Sequence, residues 1–480
     1  MRVFIGNSPW RRPGAFGVRA GSRWPHFEAD GTPYMPFPFY MAYAGSLLAK
    51  HGHETCLVDG IAEDITETAF LDRLTAFRPD VVVLEISAPS LPVDRELARQ
   101  VRARCGKDVR IAWCGAYAWG DGEDPLAASS DIDVFLRGEY EQTLLEYVEG
   151  KPITEVAGLL HRGPDGATVT NPKRTLLKNI DEHPWPDRSQ LPMSHYKEAW
   201  GALPHPCLQL WASRGCPFKC DFCVWPQFMY GGRNYRARDP VDIVDEIAHC
   251  VERHGVRSFY FDDDTFNIGK DRVVKLAEEI RRRGIDLPWG AMARADTFDR
   301  ATLEVMVGCG LRFIKYGVES GDQGLVDAMD KALDLRVVRE TMRWTKELGV
   351  NVHLTFSFGH PGETWETARK TIEMALELDP YSLQFSIMTP FPGTELHKRA
   401  KAKGLLVVDD LSRFDGYTSA AARTETLSTT DLEQILRDAN RRWRRHQVLR
   451  AVRGARWSEL RFGLTHPGRA IELLRQAFLG

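Results

Sequence analysis

At 480 residues, with 63 Lys and Arg against 66 Asp and Glu, the chain carries a net charge of −3 and is 43% hydrophobic. That length allows two or three domains with substantial cores, and the near-balanced charge gives no global field for nucleic acid. No apolar run reaches membrane-spanning length, no secretory signal is visible, and the nine cysteines form no disulfide framework, so a reducing cytoplasm is the expected compartment.

In chain order, residues 1–6 read as a short apolar strand and residues 39–51 have helical spacing ending near Gly52. Residues 54–59 are a second strand, 65–77 an amphipathic helix and 80–87 a continuous apolar strand. A helix at 93–105 and strands at 109–115 and 133–138 follow. Near-continuous apolar strands separated by helices predict a doubly wound, Rossmann-like α/β domain over residues 1–155. Ligands of such sheets sit at strand carboxyl ends, which gathers Ser87, Ala88, Gly115, Ala116, Tyr117, Gly138 and Glu139 around one crevice. Residues 156–198 read as a linker, punctuated by Pro164, Pro172, Pro184, Pro186 and Pro192 and ending in an extended strap.

Cys216, Cys220 and Cys223 then fall at C-x3-C-x2-C inside one loop. Three thiolates so placed can hold three irons of a [4Fe–4S] cluster and leave the fourth open to chelate a ligand. Structural zinc normally takes four ligands in paired C-x2-C arrangements, and the sequence holds no second pair. Phe222, beside the last cysteine, can shield a cluster from water. Beyond the loop, Asp239-Pro240 opens a helix striped by Ile243, Val244, Ile247 and Val251. Strands at 258–262, 289–293, 313–317, 350–358 and 382–387 alternate with helices near 272–283, 302–308, 337–348 and 365–378. Over residues 199–400 this is a partial (β/α)6 barrel, whose chemistry belongs at the strand carboxyl ends. Those ends carry Asp262, Asp263, Asp264, Arg294, Glu319, Ser320, Gly359 and Pro361. Arg294 has the fork geometry for a carboxylate, and the Gly359 turn lets backbone approach a ligand. The segments 224–228 and 230–238 either pack on a ligand or strap the loop to the next helix.

The cysteine loop, with an aromatic before its last cysteine, resembles the signature of the radical S-adenosylmethionine (SAM) superfamily. The resemblance implies that the open iron binds the amino and carboxylate groups of SAM. It further implies that an electron from the cluster cleaves SAM, and that the 5′-deoxyadenosyl radical removes a hydrogen atom from carbon. SAM contacts are implied at Phe222, Asp262, Asp263, Asp264, Arg294, Glu319, Ser320, Gly359 and Pro361. Segments 38–53, 115–118 and 137–141, in that order, resemble the cobalamin-binding domain ahead of many radical SAM cores, and 390–395 resembles the last barrel strand of such members. No D-x-H-x-x-G occurs; Asp181-Glu-His183 is the nearest approach and runs into proline. The resemblance therefore implies base-off cobalamin with no histidine on cobalt, contacted by Ser87, Ala88, Gly115, Ala116, Tyr117, Gly138 and Glu139. A cofactor-free flavodoxin-like domain is the alternative.

The implied enzyme is a methyltransferase that passes a methyl group from methylcobalamin to an unactivated carbon after hydrogen abstraction, consuming two SAM molecules. One alternative is a cobalamin-binding radical SAM enzyme that cyclises or rearranges a lipid or tetrapyrrole-like substrate. The other is a cobalamin or iron–sulfur sensor. The implied partners are a small-molecule or lipid-like substrate and a flavodoxin- or ferredoxin-type electron donor. Residues 401–480 read as a helical region with nine arginines from Arg437 to Arg461 against Asp438 and Glu459. With Trp443 and Trp457 interleaved, this pattern suits peripheral contact with an anionic membrane; otherwise the arginines pair with barrel loops and the aromatics join the core. Alanine at Cys216, Cys220 or Cys223 is expected to abolish SAM cleavage by reconstituted protein; retained cleavage, measured as 5′-deoxyadenosine, contradicts the cluster assignment.

Overall fold

The protein is described by a computed structural model covering residues 1–32, 34–115, 124–198, 202–408, 410–414 and 419–454. Its first sheet has seven strands, ordered Thr168–Thr170, Leu159–Arg162, Val134–Leu136, Arg110–Cys114, Val81–Glu85, Arg2–Asn7 and Glu54–Asp59. The five strands from Val134–Leu136 to Glu54–Asp59 are parallel, and the other two add as an antiparallel hairpin. That hairpin extends the sheet into the expected linker, because the turn around Gly163 and Gly166 folds the chain back.

Alternation explains why the parallel strands look uniformly apolar. Val81 and Val83 pack with Phe39, Tyr43 and Leu144 on one face, while Val82 and Leu84 pack with Phe70, Leu97 and Val101 on the other. Skipping the short strands of the first insertion, the parallel order is the doubly wound 2-1-3-4-5, with its switch point between Arg2–Asn7 and Val81–Glu85. That insertion is a three-stranded sheet of Arg11–Arg12, Ala15–Val18 and His26–Ala29, which the sequence reading did not anticipate. It sends Arg19 into the switch-point region, where the guanidinium donates to Asp94 at 2.8 and 3.1 Å and to Asn7 at 3.0 Å.

The second sheet has six strands, all parallel and in chain order: Cys207–Leu210, Ser258–Phe261, Trp289–Ala293, Leu311–Glu319, Asn351–Phe358 and Ser382–Ile387. Outward residues such as Phe259, Ile314, Leu354 and Phe385 bury under the surrounding helices. Asp239 caps the helix Pro240–His254 by accepting from Val241 N at 2.7 Å, as the sequence pattern requires. The helix Thr429–Gly454 lies along the last two strands, with Leu432, Ile435, Ala439 and Trp443 in the barrel core. Arg450 donates to Asp379 at 3.0 Å, so this part of the basic region is docked on the barrel. Residues 455–480, where much of the membrane-contact expectation falls, lie outside the described residues. Among the described residues, no helix is long and apolar enough to cross a membrane.

The two sheets are riveted by buried charge. Arg214, 2% exposed, reaches Glu141 at 2.7 Å and Glu139 at 3.5 Å, and Arg236 pairs with Glu139 at 3.0 Å. The Arg214 guanidinium also sits 4.5 Å from the Tyr43 ring and 5.0 Å from Trp211. Glu139 is thus committed to the barrel's arginines, where the sequence placed it against a cofactor. Breaking one side of such a pair strands a buried charge. Arg214→Met is expected to cost about 3–5 kcal/mol in denaturant unfolding; a loss below about 1 kcal/mol, the size of an exposed pair, contradicts the rivet.

Candidate active site at the cysteine loop

The cysteine loop leaves the short strand Ser213–Arg214, which pairs with Arg236–Ala237. At Gly215, φ is +89° and a Cβ would stand 2.2 Å from the Asn234 carbonyl, so only glycine lets the two segments pass. Asp263 accepts from Ala212 N at 2.8 Å and Ser213 Oγ at 2.5 Å, and Asp264 accepts from Gly215 N at 3.1 Å and Tyr230 Oη at 2.7 Å. Further along, the Gln227 amide donates to the carbonyls of Cys223 at 2.8 Å, Asp221 at 3.0 Å and Cys220 at 3.4 Å. Its oxygen accepts from Glu395 N at 2.9 Å. Gln227 therefore straps the loop to the last barrel helix, Glu395–Ala402. Asp221, between two of the cysteines, meets His360 Nε2 at 3.2 Å and pairs with Arg399, which joins a third element to the loop.

The three thiols share one neighbourhood. Burial pushes the Cys223 thiol up, and the adjacent Cys220 and Cys216 push it the same way. Among the described residues, no three His, Cys, Asp or Glu side chains close on a single metal ion; an iron–sulfur cubane asks instead for one thiolate per iron. Positive charge lies close by. Lys331 is buried and pairs with Glu319 at 3.0 Å; burial would lower its pKa, but Glu319 and Cys220 raise it on balance. Lys331 sits between Asp330 and Ala332, both left-handed at φ 54° and 51°, and Glu319 is left-handed at 70°. Backbone strain of this kind costs about 1–3 kcal/mol per residue and collects at functional sites.

The other expected SAM contacts divide into two groups. Phe222 and Glu319 line a cavity of about 50 Å³ at the barrel mouth, with Trp24, Val224, Thr355, Ser357, Gln384 and Ser386. Arg294 stacks 3.6 Å from the Phe218 ring, but its fork is already engaged by Asp296 at 2.9 and 2.8 Å. Asp262 is held by Arg23 at 3.0 Å; burial, against that arginine, pushes it up to about 6. Burial also raises Asp263 to about 7, and its oxygens hold the loop rather than face the cavity. Ser320 is fully buried, with its Oγ 3.2 Å from Thr371 Oγ1, behind the site. A Cβ on Gly359 would meet Leu432 at 3.2 Å, so that face turns toward the C-terminal helix. Pro361 gives its carbonyl to His360 Nδ1 at 3.0 Å.

A second cavity, of about 300 Å³, opens between the carboxyl ends of the two sheets. It is lined by Gly115, Gly138, Glu139 and Gly158 from one side and by Gln227, Phe228, Met229 and Gly393 from the other. Ser87 does not line it: its Oγ lies 2.8 Å from Ser90 Oγ, and Ala88 is packed in the apolar core. Ala116 and Tyr117 lie outside the described residues. Sequence reading singled out the segment 224–228 that holds Gln227, but missed Arg23, Trp24, Asp221 and Lys331. The polar residues at every second position of 353–357 and 382–386 were the available signal for the barrel mouth.

Residues 212–375 match the model of the radical SAM superfamily. An uncharacterized methyltransferase of Pyrococcus horikoshii is 29% identical over 381 residues, covering 78% of this chain and 81% of that protein. An anaerobic magnesium-protoporphyrin IX monomethyl ester cyclase of Rubrivivax gelatinosus is 26% identical, covering 79% and 69% respectively. The solved structure of OxsB, a cobalamin-dependent S-adenosylmethionine radical enzyme with aqua-cobalamin and S-adenosylmethionine bound, superposes with a TM-score of 0.72. At 14% identity over 98% of this chain and 71% of that one, it speaks for the fold alone. Residues 212–375 are thus a radical SAM domain, and it stands beside a doubly wound sheet.

Gln227→Ala removes the strap from three loop carbonyls. Reconstituted variant is expected to lose iron several-fold faster than the parent under a chelator, at similar overall stability; equal retention contradicts a bracing role.

Proposed function

We propose that the protein transfers a methyl group to an unactivated carbon of a small-molecule substrate, with a [4Fe–4S] cluster, SAM and cobalamin as cofactors. One observation carries this reading. The barrel-mouth cavity is lined by Phe222, Val224, Thr389 and Phe391, and the inter-sheet cavity by Gln227, Phe228, Met229 and Gly393. The same two segments, 222–229 and 389–393, therefore wall both cavities. A radical made on one side and a methyl carrier held on the other can reach one substrate between them.

Cys216, Cys220 and Cys223 would hold the cluster, and Phe222 would screen it. When bound, the cluster and cobalamin supply reductive cleavage of SAM and carriage of the methyl group. The remaining tasks fall to side chains. Burial pushes the Cys220 thiol up, and the positive charge of Lys331 and Arg294 beside it works against that rise. Glu319, Ser357 and Gln384 offer hydrogen-bonding groups to a polar ligand at the barrel mouth, and Trp24, Phe222 and Phe391 keep water out. An inert C–H bond has no acidic proton for a base, so a dry site for a radical is the physical need.

By this reading, the crevice side of residues 1–155 serves cobalamin in its base-off form and residues 199–400 serve SAM, with 156–198 as the strap and 401–480 packing on the barrel. A flavodoxin- or ferredoxin-type protein delivers electrons in a cytoplasmic compartment. The cyclase relative favours a second reading, a non-methylating ring closure on the same architecture.

Anaerobically reconstituted protein, given cobalamin, SAM, a strong reductant and host extract, separates the two. Methyl transfer is expected to raise 5′-deoxyadenosine and S-adenosylhomocysteine in near-equal, extract-dependent amounts. Deoxyadenosine alone favours ring closure, and neither product contradicts turnover.

A further inference from the structure

The barrel-mouth cavity has two unlike walls. Trp24, Phe222, Val224 and Phe391 make an apolar side. Thr355 and Gln384, from the last two barrel strands, and Thr389, just past the second of them, belong to a polar side. Other hydroxyls on that side are engaged: Ser386 donates to the Phe356 carbonyl at 3.3 Å, and Ser357 to Glu319 at 3.5 Å. Thr389 is 5% exposed, yet its Oγ1 has no hydrogen-bond partner among the described residues. The side chains of Thr355 and Gln384 likewise make no hydrogen bond with the described residues. A buried polar group left unsatisfied costs about 1–3 kcal/mol, so native structures rarely keep one without use.

Charge is balanced here. Glu319 is the one ionisable side chain among the described residues lining the cavity, and Lys331 neutralises it at 3.0 Å. A charged ligand group would lose its hydration without gaining a counter-ion. The volume of about 50 Å³ takes a few heavy atoms rather than a whole molecule. Resting on the methyl-transfer reading above, we infer that this cavity is a substrate subsite that selects an uncharged hydrogen-bonding group, a hydroxyl or a carboxamide, held by Thr355, Gln384 and Thr389. The Gln384 amide both donates and accepts, and each threonine hydroxyl does either, which matches a ligand group that also does both. The carbon beside that group lies against Phe222, which is part of the cysteine loop, on the side where the radical is made.

SAM also carries hydroxyl and amino groups, so the test separates the two sources. Anaerobically reconstituted parent, Thr389→Val, Gln384→Glu and Gln384→Lys proteins are titrated with host extract in the presence of SAM, cobalamin and reductant, and 5′-deoxyadenosine is measured. Binding of radiolabelled SAM to the same proteins is followed by equilibrium dialysis, which also reports their folding. Thr389→Val deletes only the unpartnered hydroxyl at nearly constant shape. It is expected to need about tenfold more extract for half-maximal rate, the size of one hydrogen bond lost at a buried partner, with SAM affinity unchanged. Both Gln384 variants are expected to weaken the response to extract in the same way. A stronger response in Gln384→Lys or Gln384→Glu means a charged ligand group and overturns the inference. A response equal to the parent's in Thr389→Val and both Gln384 variants overturns it too, and lost SAM affinity in Thr389→Val assigns the hydroxyl to SAM and overturns the substrate assignment. A parent that extract does not stimulate sinks the methyl-transfer reading, and the subsite with it.

Discussion

Arg214 lies two residues before Cys216, and its guanidinium is buried against two carboxylates, Glu139 and Glu141, that follow the strand Val134–Leu136 of the first sheet. Everything about the site's geometry depends on that placement. Arg236, on the strand that returns from the loop, meets the same Glu139, so both ends of the cysteine loop are tied to one short segment of the N-terminal sheet. A buried ion pair contributes little net stability over an apolar replacement, but sliding either partner away strands a charge. The rings of Tyr40, Tyr43 and Trp211 close around Arg214 and add cation–π attraction. The cost of desolvation therefore yields position: the thiols cannot drift relative to the crevice at Gly115 and Gly138.

A second set of contacts fixes the loop against the barrel. The Gln227 amide gathers three loop carbonyls, and Asp221 ties the loop to His360 and Arg399. With the rivet on one side and these straps on the other, the loop is held before any cofactor arrives. Such preorganisation suits chemistry in which a radical must form close to its target and away from water. It also explains how one short segment, residues 222–229, can wall two cavities without belonging wholly to either.

Much of this was legible in the chain, for reasons that differ by element. Strands such as Val81–Glu85 are covered on both faces, so they read as unbroken apolar runs. The cysteines are legible because ligation fixes their spacing locally. The ion pairs of Glu139, which also lines the inter-sheet cavity, could not be read because its partners are 75 and 97 residues away, beyond any local pattern. Ser320 was misjudged because the strand bulges between Gly317 and Glu319, which breaks the inside–outside alternation and turns Ser320 toward Thr371. The insertion carrying Arg19 and Arg23 has strands of only two to four residues, too short to show a period. Lys331 sits in a strained turn that no propensity favours.

The shared walls of the two cavities make one measurement decisive. Protein loaded with both the reduced cluster and paramagnetic cob(II)alamin can be studied by electron paramagnetic resonance for spin–spin interaction between the centres. Mutual relaxation enhancement, weakened in Arg214→Met, is the expected result. Two magnetically isolated signals, unchanged when the rivet is cut, would contradict the arrangement of cofactors across residues 222–229.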